Sequence, residues 1–229
     1  MKKTFLAIIL ATLSMGLNAQ EFTVLLDNPD NKAHFGLRAS LDISCPSITG
    51  DGLCNGAGFS VGGVYNIPLW KNLYFEPGVG LFYNTWGMND AYLKAYVDAV
   101  LGNQYGYDYD ASYRKLGLRI PFLVGYHFDF TDKLNVAVFT GPELNIGINH
   151  KLKLSAKEGS TEVKATTDLY DEGSIKRSDV AWKFGVGVNY EHYYLGISGD
   201  LGMVNLMKDA PNGYSYHMNT VAFTVGYNF

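Results

Sequence analysis

The sequence lacks features that would place it in several common protein classes. After residue 19 it contains no run of about 18 apolar residues, so no transmembrane helix is predicted. The net charge of −4 shows no basic excess, which disfavours a nucleic-acid-binding protein. Only 7 prolines and 2 cysteines occur, whereas 26 glycines and 17 tyrosines are present without a low-complexity run. This composition is typical of an ordered all-β protein.

The first residues predict export. Lys2 and Lys3 precede an apolar core, and the small Ala19 precedes Gln20, which is the pattern of a cleaved signal peptide over 1–19. A first transmembrane helix is the alternative, but the apolar run is too short and no stop-transfer pattern follows. We expect 20–33 to be a short periplasmic segment. No cysteine lies near the cleavage site, so no lipid anchor is expected there.

The two cysteines lie close together in the sequence. Cys45 and Cys54 flank a Gly- and Pro-containing spacer. An even cysteine count in an exported chain predicts a loop-closing disulfide. A metal site would need more ligands, and none is expected.

Alternation with period two recurs along the chain and predicts strands. In 33–44, for example, Phe35, Leu37 and Leu41 alternate with Arg38 and Asp42. Eight such segments occur, at 33–44, 57–67, 73–84, 114–128, 134–149, 180–190, 193–203 and 216–229. Long connections, near 45–56, 86–112, 150–179 and 204–215, alternate with short ones. An even strand count with alternating connections predicts an all-β, eight-stranded antiparallel outer-membrane β-barrel over 34–229 of a Gram-negative cell envelope, with the long loops outside.

The character of the two faces indicates which one meets the surroundings. One face is rich in Gly, Ser and Asn, which suits the narrow interior of an eight-stranded barrel. The other face is apolar on every strand and carries aromatics at strand ends, as in interfacial girdles. These aromatics are Tyr65, Tyr83, Tyr126, Phe128, Tyr190, Tyr227 and Phe229. A soluble lipocalin-like barrel, with the apolar face inside, is the alternative.

Seven charged side chains fall on the predicted inner face. They are Arg38, Asp42, Glu76, Arg119, Glu143, Lys183 and Asp200. Unpaired buried charges are costly, so we expect these to pair. Such a network either lines a gated pore or fills the barrel as a plug, and an eight-stranded barrel, which leaves little lumen, favours the plug.

The long connections carry the remaining candidate sites. Within 86–112 a helical pattern runs from Asp90 to Gly102, and it predicts either a docking or outer-leaflet helix or a lid over the mouth. Tyrosines and aspartates interleave in 104–113, which is more typical of a strand extension with an aromatic girdle than of a glycan or calcium site. Mixed charges in 150–179 predict a solvated hairpin first and a binder of lipid phosphates second.

Catalysis is not expected. A hydrolase needs a Ser–His or Asp–His pair at the wall or rim, and none of the five histidines has a clear partner. Pairing of Asp110 or Asp171 with His150 or His217 at the rim is left open by the sequence. No cofactor is predicted.

Four segments resemble the PorT-like outer-membrane β-barrel family, a group of OmpA/OmpX-like small barrels. They are LYFEPGVGLFY, LGLRIPFLVGYHF, TGPELNIGIN and YYLGISGDLGMVNL. The resemblance includes Pro77, Pro121 and Pro142, which fall mid-strand, where a bulge or local distortion is expected. It covers nearly all of 34–229 and implies fold and location rather than an activity.

The last strand also resembles a sorting signal. Val225, Tyr227 and the terminal Phe229 are similar to the aromatic-ended strand that outer-membrane proteins present to their assembly machinery. We therefore predict a monomer in the outer membrane, in contact with its lipid. It would bind partners through the outer loops 86–112 and 150–179. The alternatives are a narrow channel for small or hydrophobic solutes and a loop-rim hydrolase of lipid or peptide.

Overall fold

The computed structural model describes residues 33–49, 52–90, 93–94, 108–158, 161–209 and 213–229. The predicted signal peptide at 1–19 and nearly all of the predicted periplasmic segment 20–33 lie outside the described residues. Most of the helical pattern between Asp90 and Gly102 also lies outside them, as do Tyr105 and Tyr107. Within the described ranges, no helix has the length and apolar character needed to cross a membrane.

Nine strands make up most of the described chain. They are β1 (His34–Ile48), β2 (Gly56–Trp70), β3 (Leu73–Gly87), β4 (Asp108–Thr131), β5 (Leu134–Glu158), β6 (Thr161–Asp168), β7 (Ser178–Tyr190), β8 (Tyr193–Gly202) and β9 (Tyr216–Asn228).

Eight of these strands form a closed antiparallel ring. Their order is β4-β3-β2-β1-β9-β8-β7-β5, and β5 pairs in turn with β4. The first and last ring strands meet at β1–β9, where Leu37 lies opposite Tyr227 and Ala39 opposite Val225. Closure pairs every ring strand on both sides, so no backbone edge faces the membrane. The predicted eight-stranded antiparallel barrel is confirmed, with β6 as an additional strand outside the ring.

The barrel has its apolar face outside. On β1, Leu41 is 70% exposed, whereas the neighbouring Asp42 is buried. The same alternation holds on β7, β8 and β9, where Phe184, Leu195 and Phe223 are exposed. Water would not tolerate such a continuous apolar surface, but lipid requires it. The lipocalin-like alternative, with the apolar face inside, is therefore wrong.

Aromatic rings cluster at the end of the barrel where the chain terminates. Phe229 lies 6.0 Å from Phe35 and 5.0 Å from Tyr227, centroid to centroid. Tyr227 also packs on Tyr193 and His192. Val225, Tyr227 and Phe229 thus project outward at the β1–β9 seam, the place of an interfacial girdle.

The mid-strand prolines do not produce bulges. Register is the same on both sides of each, for example from Pro77 opposite Phe122 to Gly80 opposite Arg119. Pairing is interrupted only next to the proline, which lacks the N–H needed for the ladder. In the strands that the structure describes, register shifts lie elsewhere, at Pro68/Trp70, Leu116/Gly117 and Asp129/Thr131.

Strands β4, β5 and β6 extend beyond the rest of the ring. Neighbouring strands end where Gly87 pairs with Ser112 and Ser178 pairs with Ile146, but β4 and β5 continue and β6 pairs along β5. The bulge at Leu116/Gly117 marks the base of this extension. It leaves Ile148 as the extra residue, 42% exposed, and turns His150 inward. The 150–179 segment therefore contains the expected hairpin.

The expected disulfide is not formed, and both thiols are free. Cys45 belongs to β1, where it pairs with Asn219 of β9 and shares the outward face of Ile43. Cys54 lies on the far side of β2, where its backbone N–H donates to Gly87 O at 2.9 Å. The two cysteines are therefore directed to different neighbours. Closeness in sequence predicted the pairing, but the strand ladder separates them.

Candidate functional site

The barrel interior holds a continuous chain of ion pairs. Arg119 lies 3.3 Å from Asp42 and 3.0 Å from Glu143. Lys183 lies 2.8 Å from Glu143 and 2.8 Å from Asp200. These five side chains come from β1, β4, β5, β7 and β8, and all are buried. The network therefore links most of the ring strands across the lumen.

The position of the ion-pair network in the lumen follows from strand register and residue size. Lys183 lies directly opposite Asp200, so this pair is a cross-strand neighbour pair. The large Arg119 instead lies opposite Gly80, which in turn lies opposite Gly62. A Cβ on Gly62 would lie 2.5 Å from Val79 O. The backbones of β2 and β3 thus pack too closely at this point to accept a side chain on Gly62.

A second polar layer lies nearer the periplasmic end. Arg38 is 3.8 Å from Glu76 and lies over the ring of Tyr194 at 4.2 Å. Arg38 also donates to Asn228 Oδ1 at 2.8 Å.

The hydrogen bonds of this layer continue around the wall. Asn228 donates to Asn189 at 3.0 Å, and Asn189 donates to Asn135 at 2.8 Å. His127 Nδ1 lies 3.1 Å from Asn135 Oδ1 and its ring stacks on Tyr74. Asn66 donates to Glu76. The structure thus brings all seven predicted interior charges into two adjoining layers.

The space left between the layers is small. A cavity of about 100 Å³ lies among Arg38, Glu76, Arg119 and Glu143. A further cavity of about 10 Å³ lies beyond Arg119, which lines both. Arg119 and its partners therefore separate the two spaces.

Sequence reasoning missed two interior charges. Lys115 and Asp179 are both buried and line the smaller cavity with Asn84 and Asn145. The ammonium of Lys115 lies 5.7 Å from the Phe82 ring. The period-two alternation predicts an inward position for both residues, because Lys115 lies on the same strand face as Arg119, and Asp179 lies on the same strand face as Lys183.

The outer mouth is closed by an apolar cluster. Trp86, Tyr216 and Met218 from the wall pack with Leu206, which is 1% exposed. Leu206 belongs to the β8–β9 connection. Its backbone N–H donates to Tyr216 O, and its carbonyl accepts from Lys176 N, both at 2.8 Å. This connection is thus folded over the lumen.

The β6–β7 connection joins the same cap. Ile175 forms a bridge with Met207, and Lys208 N donates to Ser174 O at 3.0 Å. Tyr170 is buried beside His150, and its burial raises the pKa of its hydroxyl above the ordinary value. The two connections pair with each other and form one surface layer.

The possible catalytic pairs at the rim do not form. His150 points inward, 1% exposed, among the rings of Trp86, Tyr113 and Tyr170. Asp110 lies on the opposite, outward face of the extension, and Asp171 is paired with Arg177 at 3.4 Å. Among the residues that the structure describes, no group of three or more His, Cys, Asp or Glu side chains could hold a metal.

The connection between β3 and β4 is described only at its start. Leu93 N donates to Asn89 O at 2.8 Å, a helical bond, and the Leu93 side chain is buried. Gly52 O accepts from Asn89 N, and Leu53 bridges to Met88, so this start is fastened to the β1–β2 connection.

The sequence of this closed barrel matches a known family over residues 12–207, described as outer membrane protein beta-barrel domain. The chain belongs to this family. Its location in the outer membrane agrees with the outward apolar face. A comparison with curated proteins finds no match.

Solved structures of other small outer-membrane barrels are similar to this chain at low identity. Ail, the attachment invasion locus protein of Yersinia pestis, is 13% identical with a TM-score of 0.42, over 87% of this chain and 100% of that one. OprG from Pseudomonas aeruginosa is 10% identical with a TM-score of 0.44, over 86% and 96%. A major outer membrane protein from Thermus thermophilus is 12% identical with a TM-score of 0.44, over 87% and 100%. Such likeness says nothing about function.

Proposed function

We propose that this outer-membrane barrel is a closed, non-catalytic interaction protein of the PorT-like kind that binds a partner through its outer surface. Export through the signal peptide at 1–19 and insertion by the barrel assembly machinery, guided by Val225, Tyr227 and Phe229, are part of the proposal. The protein acts as a monomer, since the ring closes within one chain.

The main observation that supports this proposal is the closed interior of the barrel. Two polar layers and the apolar cap around Leu206 follow one another along the lumen, and a space of about 100 Å³ lies between the two polar layers. A hydrated ion or solute would have to displace several buried ion pairs at once, which is costly. A narrow channel is thereby disfavoured. What remains for function is the outer surface.

The described part of the outer surface has a defined shape. The β4–β5–β6 extension is a three-stranded sheet, and the connections after β6 and β8 are bonded to each other. Binding to such a pre-formed surface avoids much of the entropy lost in ordering loops.

Two measurements test the proposal. The purified protein in planar bilayers is expected to give no conductance steps, whereas a porin in the same bilayers conducts. A photo-crosslinking residue at Glu172, exposed in the β6–β7 connection, is expected to capture one defined protein in intact cells. The same residue at Leu41, which faces lipid, serves as the control and should capture none. Reproducible conductance would favour the channel, and equal capture from both positions would overturn the interaction role.

A further inference from the structure

The outward face of the β4–β5–β6 extension carries a basic patch at the point where the lipid-facing surface ends. On β4 the outward positions from Phe128 to Leu116 are all apolar. They span twelve residue steps, which is about 40 Å along the strand and roughly 28 Å across the membrane at a tilt of about 45°. This length matches an apolar band about 25 Å tall. The next outward residue, Arg114, therefore lies at the level of the lipid headgroups.

The bulge brings lysines to the same level on β5. Ile148 is the last apolar outward residue of that strand. Because the shift at Leu116/Gly117 reverses the alternation, Lys151 and Lys153 then face outward while His150 faces inward. Bulges commonly re-aim side chains next to functional sites. Arg114, Lys151 and Lys153 form what we call the basic face.

Two members of the basic face have the same charge and lie directly opposite each other. Arg114 pairs with Lys151 across the β4–β5 ladder, and both are exposed. Like charges in this position destabilise a sheet unless an anion lies between them. Lys153 is two residues further along the same side of β5, so the three cations converge on one area.

The carboxylates nearby form no ion pair with the basic face. Asp168 lies opposite Lys151 on β6, but its Oδ1 accepts from Tyr170 N at 3.0 Å and caps the turn. Asp110 lies further out, opposite Ser155. Within the described residues, no acidic group lies within 4.0 Å of the cationic groups of the basic face.

We propose that the basic face binds the phosphate groups of a phosphorylated glycolipid of the outer leaflet, of the lipid A kind. The acyl chains of this lipid lie against Leu116 and Ile148, and its phosphates lie between Arg114 and the two lysines. Guanidinium groups bind phosphate through two parallel N–H donors, and ammonium groups add charge. This inference rests on outer-membrane placement with the extension outside, and not on the proposed protein partner.

Binding of fluorescent bis-phosphorylated lipid A in neutral detergent micelles tests the proposal. The triple variant Arg114→Gln/Lys151→Gln/Lys153→Gln is expected to bind at least tenfold more weakly than the wild type. The charge-preserving variant Arg114→Lys/Lys151→Arg/Lys153→Arg should stay within about threefold. Lys71→Asn is the matched control, because Lys71 is an exposed cation at the other end of the barrel, and Asn tolerates its φ of 48°. Folding of each variant is checked by the faster gel mobility of the unboiled protein.

Three comparisons decide the outcome. Phosphate-free lipid A is expected to bind the wild type no more tightly than phosphorylated lipid A binds the triple variant. Added salt should weaken the binding of the phosphorylated probe only. Equal binding of the phosphorylated and phosphate-free probes, or of wild type and a folded triple variant, would overturn the proposal. Full competition by millimolar inorganic phosphate would also overturn it, because the site would then recognise free phosphate rather than the lipid.

Discussion

The guanidinium of Arg119 lies 3.0 Å from the carboxylate of Glu143, in the centre of the barrel. Glu143 is 0% exposed, and its other oxygen binds Lys183 at 2.8 Å. One carboxylate thus serves two cations from two different strands. The ring is therefore held together across the lumen as well as along its backbone ladder.

Glu143→Gln is expected to destabilise the barrel by about 3 kcal/mol, because Arg119 and Lys183 would lose the charge that they share. Urea unfolding in lipid vesicles measures this. Lys133→Gln is the control, since its pair with Glu191 is solvent-exposed and worth less than about 1 kcal/mol. Equal effects of the two substitutions would show that the interior network contributes no more than a surface pair.

The strand positions and the two faces could be predicted from the sequence because alternation is a direct consequence of strand geometry. The residues of the interior network followed from the same alternation. Lys115 and Asp179 also lie inside the barrel. Lys115 falls on the inner face of the predicted strand 114–128, whereas Asp179 lies just before the predicted strand 180–190, next to a long connection.

Other features depend on tertiary contacts, which the alternation pattern does not predict. The bulge at Leu116/Gly117 reverses the faces of β5, so His150 lies inside and Lys151 outside. The burial of Leu206 depends on bonds to Lys176 and Tyr216, which are distant in the sequence. The separation of Cys45 and Cys54 depends on which strand each one pairs with. None of these has a local signature.

Gly62→Ala is expected to reduce the folded fraction of the protein, because the new Cβ would lie 2.5 Å from Val79 O and 2.7 Å from Gly80 Cα. Backbone atoms cannot move aside as a side chain can, so a loss of about 1–3 kcal/mol is expected. The measurement is the folded fraction after refolding into detergent, by gel mobility. Gly87→Ala is the matched control, since its nearest contacts would be 3.9 Å away. A Gly62→Ala variant that folds as fully as the control would contradict this account of interior packing.

Leu206→Ala is expected to loosen the cap over the outer mouth. Removing a fully buried Leu side chain typically costs about 2–5 kcal/mol, and here the loss falls on two connections that close the lumen. Trypsin should then cleave at Lys176 and Lys208 at least several-fold faster in vesicles with the outer end exposed.

Met203→Ala is the control for the cap, because Met203 lies in the same connection but is 63% exposed. Its backbone bond from N–H to Val180 O is unaffected by the substitution. Unchanged cleavage in Leu206→Ala would mean that the hydrogen bonds alone hold the cap closed.

The free thiols provide a test of both orientation and redox state. Cys54 is exposed at the end of the barrel that we place outside, whereas Cys45 is partly covered on β1. A membrane-impermeant maleimide should therefore label Cys45→Ser in intact cells, through Cys54, and should label Cys54→Ser at least several-fold less. Wild type should react equally with and without prior reduction, because no disulfide blocks the thiol. Labelling that requires a reductant would show that the disulfide forms. Labelling of Cys45→Ser only after cell disruption would show that the barrel has the opposite orientation, with β4–β5–β6 facing the periplasm.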